Sequence, residues 1–338
     1  VTAERCAAQL LCGDPAGSAE DVTRRLLAVQ AQDPRGARLT VRARSAGLSA
    51  ADVDAALGRR TLLVTWLNRG TLHLVSAEDY WWLHPLTNPQ LRTGNASRLA
   101  QEGVPPQDAE RGVAALRAAL GCDGPLTRAQ LRERVAAAGV RTEGQALVHI
   151  LLLASIQGLI VRGPMAGKDQ AFVLASDWLG APPPVMDRDA ALGELAGRYL
   201  AGHAPAGDAD LAKWAGIGLR DARAGLARCG AVQRADGLAE LPGAPQRAAA
   251  VLPPPRLLGA FDPLLLGWAS RDPVTGPHKH IVTDNGLFRP FALAGGRAVA
   301  TWTFAGGRVV LKPFAPLDAE TTAALDAEAA DVTRFLAG

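Results

Sequence analysis

QDAERGVAALRAALGCDGPLTRAQLRERVAAAGVRTEGQALVHILLLASIQGLIVRGPMAGKDQAFVLASDW, residues 107–178, is the stretch whose reading decides the fold. Its spacing predicts a helix over about 107–120, a second from the cap residue Thr127 to Gly139, and a third from about Gln145 to Gly158. LIVR, GPMAGKDQ and AFVL then read as strand, loop and strand. Three helices followed by a two-stranded wing is the winged-helix order, a variant of helix-turn-helix.

The same theme extends outward in both directions. Upstream, Ser18, Ser49 and Ser76 each stand three residues before an Asp, as Thr127 stands before Gln130, which is the spacing of a capping box. Between the second and third boxes, TLLVTWLNRGTLHLV (61–75) reads as a β-hairpin that turns at Asn68-Arg69-Gly70, with a basic tip. Downstream, a helix over about 187–201 precedes a helix, a Gly216-Ile217-Gly218 turn, a helix, and AVQRADGLAEL as a small wing. Residues 241–256 are rich in Pro and Ala and read as a connector. Beyond it, RLLGAFDPLLLGW, HKHIV, LFRPFALAGGRAVATWTF and RVVLKPF are read as strand-forming, with a turn at Gly295-Gly296, and 320–335 as a closing helix. The expected fold is α+β: three tandem winged-helix units (1–105, 106–180 and 181–245), then a small β-rich, barrel-like region with a terminal helix (246–338).

Composition sets the outer bounds. The chain has 338 residues, 48% of them hydrophobic and 20% charged, which is a globular composition with room for two or three domains. No window is apolar enough for a membrane span, and the first residues lack the basic start and apolar run of a signal peptide. Val1 is not an initiator Met, so a few residues are expected to be missing or processed. The four cysteines, at 6, 12, 122 and 229, form no CxxC pair and are expected to be reduced thiols in a cytoplasm. Net charge is only +3, yet just four of the 36 basic residues are Lys. An Arg-dominated surface suits phosphate and base recognition, although a GC-rich genome gives any protein this bias.

Common catalytic motifs are missing. There is no HExxH and no GxSxG. Gly163 to Lys168 is one residue short of a phosphate loop and continues with Asp169 where Ser or Thr belongs. Gly216-Ile-Gly218 lacks the third glycine of a dinucleotide fingerprint, and Asn95-Ala-Ser97 is a chance glycosylation sequon. What stands out is LLAVQAQDPRGARLTVRARS, 26–45. If 29–32 is extended, Gln30 and Gln32 point to one side, two uncharged carboxamides that both donate and accept. The bland reading of such a pair is an amide cap at a strand end, with solvated arginines after it.

Gln-Ala-Gln followed by DPRGARLTVRAR, the WLNRGTLHLV hairpin, FDPLLLGWASR and GGRAVATW together resemble the AlkZ-like family of bacterial DNA glycosylases. The likeness covers most of the chain and is strongest at 26–46, 61–85 and 257–302. It implies excision of bulky N7-alkylguanines, interstrand crosslinks among them, with Gln30 and Gln32 as the catalytic pair. It also suggests a subgroup that protects producers of DNA-alkylating antibiotics, with Gln rather than an acid at 32 pointing to the narrower range. Arg35, Arg38, Arg42, Arg44, Arg69, His73, Lys279 and Arg297 are candidate DNA contacts, and Trp66, Trp81 and Trp82 candidate stacking platforms. His278, His280 and Arg289 share the hairpins expected to enter a groove. The expected partner is double-stranded DNA with alkylated purines. No metal, cofactor or membrane is expected, and the protein is expected to be a monomer in the cytoplasm, at the nucleoid. Two competing readings are a non-catalytic winged-helix regulator and a protein that sequesters a planar drug.

Overall fold

A computed structural model describes residues 1–243 and 251–338; of the expected connector, 244–250 lie outside the described residues. The chain is a mixed α+β protein that divides into two compact units, one of Val1–Val53 with Asp187–Gly338 and one of Asp54–Met186.

The first unit opens with α1 (Thr2–Ala8), α2 (Ala19–Leu26), a short strand β1 (Ala28–Gln30) and α3 (Pro34–Arg42); the division falls within α4 (Ala50–Gly58). Ser18 caps α2 by accepting from the Asp21 amide at 3.0 Å. Residues 34–42 form a helix. Asp33 caps it, accepting from the Arg35 amide at 3.0 Å, and Pro34 fills the first turn, where its missing N–H costs nothing.

The second unit runs β2 (Leu62–Leu67), β3 (Thr71–Ser76), α5 (Ala77–Thr87), α6 (Leu91–Gln101), α7 (Pro106–Asp123), α8 (Arg128–Ala137), α9 (Ala146–Ile156), β4 (Ile160–Ala166), β5 (Asp169–Leu174) and α10 (Ala175–Leu179). The hairpin at 61–75 is present as read, with Leu67 opposite Thr71 and Leu62 opposite Ser76. Within the unit the strands lie in the antiparallel order β3-β2-β4-β5. Every residue of β2 is buried, which explains why 62–67 is apolar on both faces. Thr127 and Gln130 form the full capping box. Ser76 begins α5 without a side-chain cap. Ile150, Leu116, Leu131 and Phe172 anchor the unit's core.

The first unit resumes with α11 (Arg188–His203), α12 (Asp208–Ala215), α13 (Leu219–Arg228) and a two-stranded antiparallel pair, β6 (Val232–Gln233) and β7 (Ala239–Glu240). Then come β8 (Arg256–Leu258), α14 (Pro263–Leu266), α15 (Asp272–Thr275), a 3-10 turn (Lys279–Ile281), β9 (Phe291–Ala294), β10 (Arg297–Ala305), β11 (Arg308–Pro313) and α16 (Ala319–Ala337). Two expectations are corrected here. The last strands form a sheet in the order β11-β10-β9-β8, whose edges stay unjoined among the described residues, so no barrel closes. HKHIV is a 3-10 turn rather than a strand, because Ile281 buries while the His278 ring stacks on Phe314 at 4.1 Å.

Candidate active site

The Gln pair follows a tight bend in the chain. Leu27, fully buried, ends α2 in the left-handed region at φ 63°, ψ −49°. A non-glycine residue there costs about 1–3 kcal/mol and persists only where surrounding packing enforces it. The bend carries the backbone directly from α2 into β1. Gln30 and Gln32 lie on one side, as period-two alternation requires, and the Gln30 Nε2 donates to the Gln32 Oε1 at 2.6 Å. Gln30 is 6% exposed, whereas Gln32 is exposed. Among the described residues the Gln32 amide nitrogen has no acceptor, so two oriented donors face outward at the start of α3.

One tether holds the start of α3 and another its end. At Gly36 a Cβ would collide with the Ala260 carbonyl, and at Gly259 one would stand 3.0 Å from the Gly36 carbonyl oxygen, so the backbones touch only because both residues are glycine. Arg44 is fully buried, and its Nη1 and Nη2 donate to Asp262 at 2.9 and 2.8 Å, with Nη2 also donating to Gln9 at 2.9 Å. Arg42 donates to Glu328 at 2.8 Å, to Asp331 at 2.9 Å and to the Leu257 carbonyl at 2.7 Å. Arg42 and Arg44 therefore anchor the C-terminal end of α3 from inside the core and do not reach a phosphate. Asp262 of the FDPLLLGW segment is a supporting residue that sequence reading missed; only its pairing with a buried arginine gives it that role.

The remaining candidates fall in different places. Arg35 is exposed, and its guanidinium lies 5.7 Å from the centre of the Phe304 ring on β10. Arg38 is half-buried and donates to the Pro34 carbonyl at 2.9 Å. Arg297 is exposed, its guanidinium lying against Gly276. Lys279 is exposed on the 3-10 turn. The turn at 295–296, however, is seated: a Cβ on Gly296 would stand 2.8 Å from Leu252 and 2.9 Å from Thr2. The turn of the β10–β11 hairpin, Gly306-Gly307, meets nothing within 4 Å, and Arg308 follows it exposed. A second Gly-Gly doublet was the signal for this free tip. In the second unit, Arg69 is exposed at the β2–β3 turn. His73 is 2% exposed and its Nδ1–H donates to the Thr71 carbonyl at 2.9 Å. Burial, with the Arg69 charge adding to it, pushes its pKa down to about 3, so it is neutral and offers no cation to DNA. Trp66 is core, stacked on Phe172 at 6.4 Å. Trp82 is half-buried and donates to Asp79, and Trp81 is edge-on to Tyr80.

No group of three or more His, Cys, Asp or Glu residues is placed to hold a metal among the described residues, and no helix among them is long and apolar enough to cross a membrane. A family model described as DNA glycosylase AlkZ-like matches residues 23–335. The chain belongs to the AlkZ-like family. Members are DNA glycosylases, hydrolases of N-glycosyl bonds, and the chain shares that enzymatic class. Among AlkZ-like relatives, the interstrand DNA cross-link repair glycosylase of Streptomyces sahachiroi is 28% identical, over 94% of this chain and 90% of that protein. The solved structure of the Streptomyces sahachiroi DNA glycosylase AlkZ superposes with a TM-score of 0.80 at 26% identity, covering 99% of this chain and 95% of that one.

Proposed function

We propose that this glycosylase hydrolyses the N-glycosidic bond of bulky N7-alkylpurines in double-stranded DNA, crosslinked ones included, with Gln30 and Gln32 as the catalytic pair. The observation that carries the reading is the 2.6 Å amide-to-amide bond that presents Gln32 outward from a braced, strained loop. An N7-alkylated purine is already cationic and leaves readily, so the protein need not protonate it. What remains is to place a water and to hold the sugar as positive charge develops, which neutral amides do without a perturbed acid. Gln30 fixes the Gln32 carbonyl, and the Gln32 NH2 orients the water or the purine. The three helix-plus-wing segments act as tandem winged helices on the duplex. Arg35, Arg38, Arg69, Lys279 and Arg297 contact phosphates, and the free β10–β11 tip approaches a groove. The protein works as a monomer in the cytoplasm, with no metal or cofactor. Its biological role is self-protection against a DNA-alkylating antibiotic, in keeping with the cross-link repair relative.

The test is single-turnover excision from a duplex with one N7-alkylguanine, scored as abasic product. Gln30→Ala and Gln32→Ala should each slow excision by about 100-fold or more, a scale that positioning supports. The double variant should be less impaired than the product of the single effects, because the amides share one transition state. Wild-type rates in both folded variants would remove the pair from the mechanism, and no abasic product from the wild type would return the chain to a DNA-binding or drug-binding role.

A further inference from the structure

The second unit holds a cation pair that the catalytic reading does not use. Arg162 lies on β4 with Phe172 of β5 and Val64 of β2 as its cross-strand partners, so its side chain shares a face with Phe172 and Trp66. Its guanidinium sits 4.9 Å from the centre of the Phe172 ring and 5.3 Å from that of Trp66, the two rings being stacked on each other. Leu126 exchanges two backbone hydrogen bonds with the same Phe172, at 3.1 and 2.8 Å, which seats the start of α8 and its first residue, Arg128, next to this platform. Arg128 is exposed.

Neither arginine has a carboxylate partner among the described residues, and the Arg162 Nε is buried without an acceptor. Burial pushes the Arg162 pKa down to about 10, with the Arg128 charge acting in the same direction. Arg162 and, from the first turn of α8, Arg128 thus lie in the same part of the unit, with no carboxylate paired to either among the described residues. Ring contact orients Arg162 but supplies no acceptor for its N–H groups.

We infer that Arg162 and Arg128 form a phosphate-binding site, built on the Trp66–Phe172 platform, that grips one backbone phosphodiester of duplex DNA. A planar guanidinium fixed by two rings has its fork pre-organised for two phosphate oxygens, and Arg128 adds a second charge from the mouth of α8. The choice of DNA over free phosphate rests on the glycosylase reading above.

The experiment measures the affinity of an undamaged duplex over a series of KCl concentrations, together with the thermal midpoint of the DNA-free protein. Arg162→Met and Arg128→Gln should each weaken binding about fivefold and lower the slope of log K against log salt, with the double variant losing about 0.9 in all, the share of the one phosphate they hold. Arg162→Met, which keeps the ring contact but not the charge, should leave the midpoint unchanged or raise it. Inorganic phosphate, at fixed ionic strength, should raise the midpoint of the wild type and not of the double variant. An unchanged slope in the double variant overturns the site. A lower midpoint in Arg162→Met with an unchanged slope in Arg128→Gln assigns Arg162 to packing and also overturns it. A phosphate-induced shift without a change in slope restricts the site to free anions and overturns the DNA assignment. Abasic-product formation by the wild type is read separately, so failure of the glycosylase chemistry and failure of this site are told apart.

Discussion

Arg44 in the first unit and Arg162 in the second are both arginines drawn largely out of solvent, and they solve the same problem in opposite ways. Arg44 has a carboxylate held at 2.8 and 2.9 Å, a Gln carbonyl and no exposed surface. Arg162 has two aromatic rings, a second arginine nearby and no acid. A charge compensated from within the chain is architecture, whereas a charge left uncompensated awaits a partner from outside. Sequence reading treated the arginines after the Gln pair as the DNA-facing set. Two of them, Arg42 and Arg44, are instead buried ion-pair partners that anchor the C-terminal end of α3.

The largest expected effect breaks the internal pair. Asp262→Ala leaves Arg44 buried and unpaired and also removes the cap that accepts from the Leu264 amide at 2.9 Å, so it should cost about 3–5 kcal/mol in urea unfolding. A loss below about 1 kcal/mol would erase the distinction between the two arginines.

Acid should come next, acting on both units alike. His203 in the first unit and His73 in the second are fully buried and neutral, each with its pKa pushed down to about 3 by burial. Unfolded histidine titrates near 6.5, so below that pH the unfolded chain binds more protons than the folded one. Stability is therefore fully present above about pH 6.5 and falls as pH drops toward about 3, by roughly 1.4 kcal/mol per pH unit per histidine. Urea curves at pH 7 and 5.5 measure this, and His203→Phe or His73→Phe should each remove one histidine's share. A flat profile would show that neither ring is held neutral.

Surface charges give a smaller change, visible in DNA affinity. Arg69→Glu and Arg38→Glu should weaken duplex binding about tenfold and flatten its salt dependence, with stability altered by less than about 0.5 kcal/mol at exposed Arg69. Unchanged slopes in both would take these residues off the DNA face. The smallest structural effect belongs to the hairpin tips. Shortening the free 306–307 turn should leave the thermal midpoint unchanged while lowering excision from duplex DNA, whereas altering the seated 295–296 turn should lower the midpoint. Equal thermal effects at both turns would end the contrast between them.

What the sequence determined was local and periodic. The Thr127 capping box, the Asn68-Arg69-Gly70 turn and the helix-turn-helix at 208–230 follow from side chains that meet neighbours three or four residues away, so one dimension contains the information. The facing of Gln30 and Gln32 was legible for the same reason, being only a matter of alternation. Only the tertiary structure decided the fate of each arginine. Arg42 and Arg44 meet acids more than two hundred residues away, while Arg162 meets none, and no spacing rule encodes that difference. The HKHIV turn and the open sheet were likewise settled by packing, because short apolar segments take whichever backbone buries Ile281 and fills the space beside Phe314.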